Sequence, residues 1–286
     1  MRSADLLAAY SEEDVDALLT NELLLCTGKY FTHKAPHATL LAGQPGAGKT
    51  VLSSMLIGLL NGDAALINGD EFRRYHPNFK TLSEKYGSEA VKMTSAFSNA
   101  VVEKLIDRYS DHRINLVVEG TGRDASVPEA TARLLVEKGY QVELAVIATR
   151  PEFSLASILL RFYKMKEAGT TPRATAIDAH DHVVEVLPAN LDALSLSENF
   201  SSITIWDRDL NKLYDSCSDS GLPSYVLRSY WESPWSSEEL RLVNKQVEEL
   251  REKEQLYGFG QGFAIDELER RISDANQTVS FGMNMQ

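Results

Sequence analysis

One octapeptide constrains this chain more than any other feature: Gly43, Gln44, Pro45, Gly46, Ala47, Gly48, Lys49 and Thr50 in succession. It lies between a short apolar run, Ala38 to Ala42, and a helical pattern, Lys49 to Leu60. A G-x-x-x-x-G-K-[ST] string in that setting predicts a loop whose backbone N–H groups turn inward around phosphates, with a helix N-terminus adding its positive dipole end. In such a loop the lysine, here Lys49, bridges the β- and γ-phosphates and the hydroxyl of Thr50 ligates a metal, so ATP and Mg2+ are the expected ligands. A glycine-rich turn that binds nothing would give Lys49 no reason to follow Gly48.

The rest of the chain repeats the alternation. Apolar runs recur at Ala64 to Asn68, Ile114 to Val118, Val142 to Ala148 and Ile203 to Trp206, each short enough for a strand buried on both faces. Helical patterns lie between them at Ser88 to Tyr109, Pro128 to Lys138 and Glu152 to Lys166. Strands alternating with helices predict an α/β fold, a doubly wound parallel sheet of the P-loop type flanked by helices. An N-terminal helix over residues 11–26 is announced by Ser11 and Asp14, with Val15, Leu18, Leu19 and Leu23 at helical spacing. After about Tyr230 the strand signal ends. Residues 1–230 are therefore expected to form the P-loop domain and 231–286 a helical C-terminal extension, with Ser236 to Lys253 helical and 273–286 a loose polar tail.

In doubly wound sheets ligands bind beyond the carboxyl ends of the strands, so the residues following each run carry the chemistry. Asp70 follows the second run, in a strand expected directly beside that of the phosphate loop, and suits a base that accepts a hydroxyl proton. Glu119 follows the third run and suits magnesium support or substrate fixation. Thr121, Gly122 and Arg123 come directly after it, a hydroxyl and a guanidinium placed to grip a sugar or phosphate. The basic and aromatic stretch Phe72 to Phe79 frames an entrance or packs as a loop. Arg161 and Arg173 flank the helix-breaking Gly169 to Pro172, an arrangement that suits a lid closing over a transferring phosphoryl group. His180 and His182 sit two residues apart, which on a helix points them in different directions and argues against a metal pair. Arg208, after the fifth run, could stack on adenine.

Charge and cysteine content exclude other classes. Twenty-nine basic against 41 acidic side chains give a net charge of −12, a field that repels nucleic acid. Only two cysteines, Cys26 and Cys217, with no CxxC pair, suit a reducing cytoplasm rather than a disulfide framework. No run approaches a membrane span, and the first residues do not form a secretory signal.

Several of these motifs together resemble the zeta-toxin UDP-N-acetylglucosamine kinases of bacterial toxin–antitoxin modules. The likeness runs from about Leu40 to Tyr214 and rests on Gly43 to Thr50, Gly69 to Arg73, His76 to Phe79, Glu119 to Arg123, Lys138 to Tyr140 and Arg173 to Thr175. It implies that ATP phosphorylates the 3′-hydroxyl of the amino sugar of UDP-N-acetylglucosamine, blocking cell-wall synthesis. By the same resemblance Asp70 is the base, and Lys49, Arg161 and Arg173 contact phosphates. Glu103, Glu119, Thr121, Arg123 and Thr131 line the sugar-nucleotide pocket. A small helical antitoxin on a separate chain is the implied partner. The segment Phe162 to Met165 departs from the family pattern, lacking an acidic residue just after Arg161. From the residues alone two other readings stand: a different P-loop phosphotransferase acting on a nucleoside or antibiotic, and an ATP-dependent switch that transfers nothing.

Overall fold

The computed structural model describes residues 3–26, 28–170 and 176–283 of the chain. In chain order the elements are α1 (Ser3–Leu7), α2 (Glu12–Cys26), β1 (His37–Ala42), α3 (Lys49–Leu59), β2 (Ala65–Asn68), α4 (Gly69–Phe72), α5 (Phe79–Tyr86), α6 (Ala90–Met93), α7 (Ser95–Asp111), β3 (Leu116–Glu119), α8 (Ser126–Glu137) and β4 (Gln141–Ile147). They continue with α9 (Pro151–Glu167), α10 (Ile177–Ser195), β5 (Ser202–Trp206), β6 (Lys212–Asp215), α11 (Pro223–Glu232), α12 (Ser237–Tyr257) and α13 (Gly262–Met283). All five expected strands form, within two residues of the expected ends.

The sheet order is β2-β3-β1-β4-β5-β6, with the first five strands parallel and β6 antiparallel to β5. One expectation is corrected here. The strand that carries Asp70 is not beside the strand of the phosphate loop, because β3 lies between them. Burial explains the order: Leu116, Val117 and Val118 are all buried, whereas β2 leaves Leu66 exposed. A run apolar on both faces gains most in the centre of a sheet and a half-polar run costs least at its edge. The strand β6 escapes sequence reading because it is four residues long and polar; it buries only Tyr214.

Helix α2 begins as expected, with the Ser11 hydroxyl accepting from the Asp14 N–H at 3.2 Å and the Asp14 carboxylate accepting from the Ser11 N–H at 2.8 Å. Val15, Leu18 and Leu19 are buried in the main core with Leu105 and Tyr109 of α7, each worth roughly 1.5–3 kcal/mol by area. The Leu23 side chain lies outside the described residues. The helical pattern from Ser88 to Tyr109 is broken at Thr94, whose hydroxyl turns back onto the Ala90 carbonyl at 2.8 Å and separates α6 from α7.

A second core joins α9 to the C-terminal helices: Leu155, Leu159 and Tyr163 pack with Val243, Val247 and Leu250 of α12 and with Ile265, Leu268 and Ile272 of α13. Helix α13 continues to Met283, past the point where polar composition predicts a loose tail. Among the described residues no helix is long and apolar enough to cross a membrane.

The basic stretch after Asp70 is packed rather than open at His76. Its ring is buried against Tyr10 and Phe97, Nε2–H donates to the Ala8 carbonyl at 3.2 Å and Nδ1 accepts from the Asn78 N–H at 3.1 Å. The Asn78 amide donates to the Leu7 carbonyl, so this turn holds the N-terminal segment. A second proton on the ring would face the Asn78 donor, and burial lowers the His76 pKa, opposed by the Ala8 bond and by Asp14. The unfolded chain therefore takes up its proton first as pH falls below about 6.5, and the His76 contribution to stability is present above that value and lost below it. The melting-temperature advantage of wild type over His76→Asn is expected to be largest at pH 7 and to shrink steadily by pH 5. An advantage that stays constant with pH would remove this assignment.

Candidate active site

The phosphate loop is bent by its glycines. Gly46 has φ +79°, and a Cβ there would lie 2.1 Å from the Ser154 carbonyl oxygen, so only glycine allows α9 to seat against the loop. Gly48, φ +98°, is the left-handed residue from which α3 starts. The loop is tied to the end of β4 from both sides: the Thr149 hydroxyl donates to the Ala47 carbonyl at 2.6 Å, and the Gln44 amide donates to the Thr149 carbonyl at 2.6 Å.

Lys49 folds back over the loop, donating to the Gly43 carbonyl at 2.7 Å and the Gln44 carbonyl at 3.2 Å. Desolvation lowers its pKa to about 8, against the pull of Glu119 and Asp70; Arg161 acts in the same direction as burial. These four charged groups therefore share one electrostatic neighbourhood. The ammonium is held by neutral carbonyls where a polyphosphate would supply negative charge, and the Gln44 and Ala47 side chains are buried away from the loop's outer surface. Residues present thus fit a nucleotide phosphate, and the Thr50 hydroxyl, exposed at the first turn of α3, fits a metal on its far side.

The acidic pair is built by one asparagine. Asn68 ends β2 opposite Glu119 in register; its amide donates to a Glu119 oxygen at 2.8 Å, while its own oxygen accepts the Asp70 N–H at 3.0 Å and caps α4. Glu119 also accepts from the Ser53 hydroxyl at 3.0 Å. Desolvation raises the Glu119 pKa, with Ser53 and Lys49 opposing. Asp70 projects outward with half of its side chain exposed, held by Arg73 Nε at 3.0 Å. Arg73 is itself anchored by the Val91 carbonyl and the Ser95 hydroxyl. Asn68 and Ser53 take no site role in the amino-acid order alone, and Arg73 enters only within the stretch Phe72 to Phe79; the cue for Asn68 is its place at a strand end, two residues before Asp70, where an asparagine caps the following turn.

The other expected residues spread over the rim. The Thr121 carbonyl accepts from the Gly43 N–H at 3.3 Å, which sets this turn beside the phosphate loop, and Arg123 is exposed just beyond it. Thr131, half-buried on α8, turns its hydroxyl to the Val127 carbonyl. Glu103 is exposed on α7, the helix whose Ser98 hydroxyl donates to the Gly69 carbonyl at 2.5 Å. Arg161 is exposed on α9, while Arg173 lies outside the described residues. Arg208 stands over the Phe153 ring at 5.4 Å, and Phe153 in turn stacks on Trp235.

A mostly parallel sheet with this strand order, a glycine phosphate loop after β1 and acids at or just past the ends of β3 and β2 on one side of it define a P-loop nucleotide-binding protein with a kinase-like fold. Comparison with known proteins narrows the class. The zeta-toxin family model matches residues 20–219, and the chain belongs to that family. It is similar to toxin PezT of Streptococcus pneumoniae serotype 4, 36% identical over 248 residues that span 85% of this chain and 98% of the relative. Toxin zeta of Streptococcus pyogenes is 37% identical over 218 residues, 76% of each chain. A solved structure from the PezAT toxin–antitoxin system of Streptococcus pneumoniae superposes with a TM-score of 0.78 at 34% identity, covering 85% of this chain and 99% of that one. A chain of the AvrRxo1-ORF1:ORF2 complex shares the fold at 13% identity, with a TM-score of 0.54 over 93% of this chain and 84% of that one.

Proposed function

We propose that this protein is an ATP- and magnesium-dependent kinase that phosphorylates the 3′-hydroxyl of the amino sugar of UDP-N-acetylglucosamine, and that it acts as a toxin. The observation that carries the reading is the Asn68 bridge, which sets a half-exposed carboxylate, Asp70, beside a half-buried one, Glu119, across from Lys49. A switch has no use for an exposed acid held in this position, whereas a hydroxyl acceptor does.

In this mechanism the Asp70 carboxylate accepts the acceptor's hydroxyl proton as that oxygen bonds to the γ-phosphorus and the bond to the β-bridging oxygen breaks, releasing ADP. Arg73 keeps Asp70 aimed. Lys49 leaves the loop carbonyls for the phosphates, and Arg161 and Arg173 offset charge on the transferred group. Thr50 would hold Mg2+, which supplies charge neutralisation across the phosphates. Glu119, held by Ser53 and Asn68, keeps Lys49 in place and orients the acceptor with Glu103, Thr121, Arg123 and Thr131. Within the extension that begins at residue 231, α12 and α13 brace α9. Since toxin PezT comes from a system named as toxin–antitoxin, the proposed partner is a small antitoxin on a separate chain, obstructing the ATP site.

Purified protein with Mg-ATP and UDP-N-acetylglucosamine is expected to release ADP and form a new sugar monoester visible by phosphorus NMR. ADP release indifferent to any UDP-sugar would overturn the substrate assignment, and release that persists without Asp70 would overturn the kinase.

A further inference from the structure

Beneath the phosphate loop runs a line of polar side chains in a region where apolar packing is otherwise the rule. The Gln44 amide donates to the Ser154 hydroxyl at 3.2 Å as well as to the Thr149 carbonyl. Ser154 Oγ lies 2.7 Å from His180 Nε2, and His180 Nδ1 lies 2.8 Å from Asp181 Oδ1. Arg271 of α13 meets Asp181 with both terminal nitrogens, at 2.8 and 2.7 Å, and its Nε donates to Glu267 at 2.8 Å. The line thus links three helices, α9, α10 and α13, to the second residue of the loop.

Serine, histidine and aspartate in this order also describe a hydrolase triad, but Ser154 and His180 are both 0% exposed, so no substrate reaches the hydroxyl. Proton placement shows what the line does instead. Asp181, fixed by Arg271, accepts the His180 Nδ1–H, which leaves Nε2 to accept the Ser154 O–H at 2.7 Å in competition with the Pro151 carbonyl at 2.9 Å, and leaves a Ser154 lone pair for Gln44. Burial lowers the His180 pKa and keeps the ring in this neutral form at pH 7. Gln44 is wholly buried and its Oε1 has no partner among the described residues, so the amide is held from its nitrogen end alone. The Ser154 backbone is also what Gly46 leans on. One residue of α9 therefore supports the loop twice, and its side chain is oriented from the far end of the protein.

We infer that Ser154, His180, Asp181 and Arg271 are positioning residues for nucleotide binding, holding Gln44 and the phosphate loop in the binding conformation and making the last helix part of that support. The inference rests on the reading of Gly43 to Thr50 as an ATP site.

The test is direct titration of the full-length protein with a fluorescent ATP analogue and Mg2+, with steady-state kinetics alongside. Ser154→Ala, His180→Leu and Arg271→Ala are each expected to raise the nucleotide dissociation constant by about tenfold, as loss of one buried or charged hydrogen bond does. The KM for ATP should follow while that for the acceptor stays put. His180→Gln, which can still accept from Ser154, should recover most of the affinity. Arg251→Ala is the control: Arg251 ties α12 to Asp266 and Glu269 of α13 without touching the line. It should bind nucleotide as wild type does. The inference is overturned if the three variants bind like wild type, if His180→Gln is as weak as His180→Leu, or if Arg251→Ala weakens binding as much as Arg271→Ala. Wild type that binds no nucleotide would instead overturn the ATP-site reading.

Discussion

Asp70→Asn is expected to lower turnover by roughly three orders of magnitude, about 4 kcal/mol at the transition state, while changing the Mg-ATP dissociation constant by less than about twofold. The separation follows from geometry. The amide keeps an oxygen for Arg73 Nε, and the backbone N–H that Asn68 caps is unaltered, so α4 keeps its start. Half of the side chain is exposed, so the substitution places no new polar group in the core. What is lost is the ability to accept a proton and the negative charge that draws an acceptor hydroxyl into line. Single-turnover measurements beside nucleotide titration would check this, and equal losses in both would show that Asp70 supports the nucleotide and is not the base.

The largest expected stability effect lies outside the site, at Arg150. This guanidinium is 2% exposed and directly follows Thr149, the residue that ties down the phosphate loop. Its Nε meets Glu239 at 2.9 Å, and its terminal nitrogens reach the carbonyls of Trp231, Ser233 and Pro234 and the hydroxyl of Ser233. The indole of Trp235 lies 4.9 Å from its centre. The guanidinium is itself buried, and removing it takes the donor from the carbonyls of Trp231, Ser233 and Pro234 and from Glu239 at once, so Arg150→Met should cost about 3–5 kcal/mol even though methionine replaces much of the stem. A fall of roughly 10 °C in melting temperature is expected for a chain of this size. Hydrogen exchange should show lost protection first at the start of α12, where Glu239 also completes a capping box with Ser236. A shift under about 2 °C would mean that α12 is held by its apolar contacts with α9 alone.

Much of the fold and part of the site are legible in the amino-acid order alone. The phosphate loop is, because its glycine, lysine and threonine spacing is local and the strand and helix beside it carry their own periodicities. The family resemblance, which the comparisons bear out, can be drawn from short motifs in order. Strand ends are legible to within two residues, since an apolar run stops where polar groups begin. The relation of Asp70 to the loop is not, because adjacency in chain order does not fix adjacency in a sheet. Asn68 looks like a turn residue, and its hydrogen bond to Glu119, which joins the cap of α4 to the acid, exists only once β2 and β3 pair. His180 stands out in the sequence only as a metal candidate to be dismissed; its partner Ser154 is 26 positions away and cannot be chosen from the chain.

The division follows from the range of the forces involved. Features set within a few residues, such as the left-handed turn at Gly48, the Ser11–Asp14 start of α2 and the Ser236–Glu239 start of α12, depend on dihedral limits and nearby hydrogen bonds, and the amino-acid order dictates them. The strand order and the line from Gln44 to Arg271 depend on which buried faces and which polar groups meet across long stretches of chain. A serine, a histidine or an arginine on a helix looks the same whether it is solvated or buried with a partner. Packing excludes water from Gln44, Ser154 and His180, and only then does each polar group require the particular neighbour that the fold supplies.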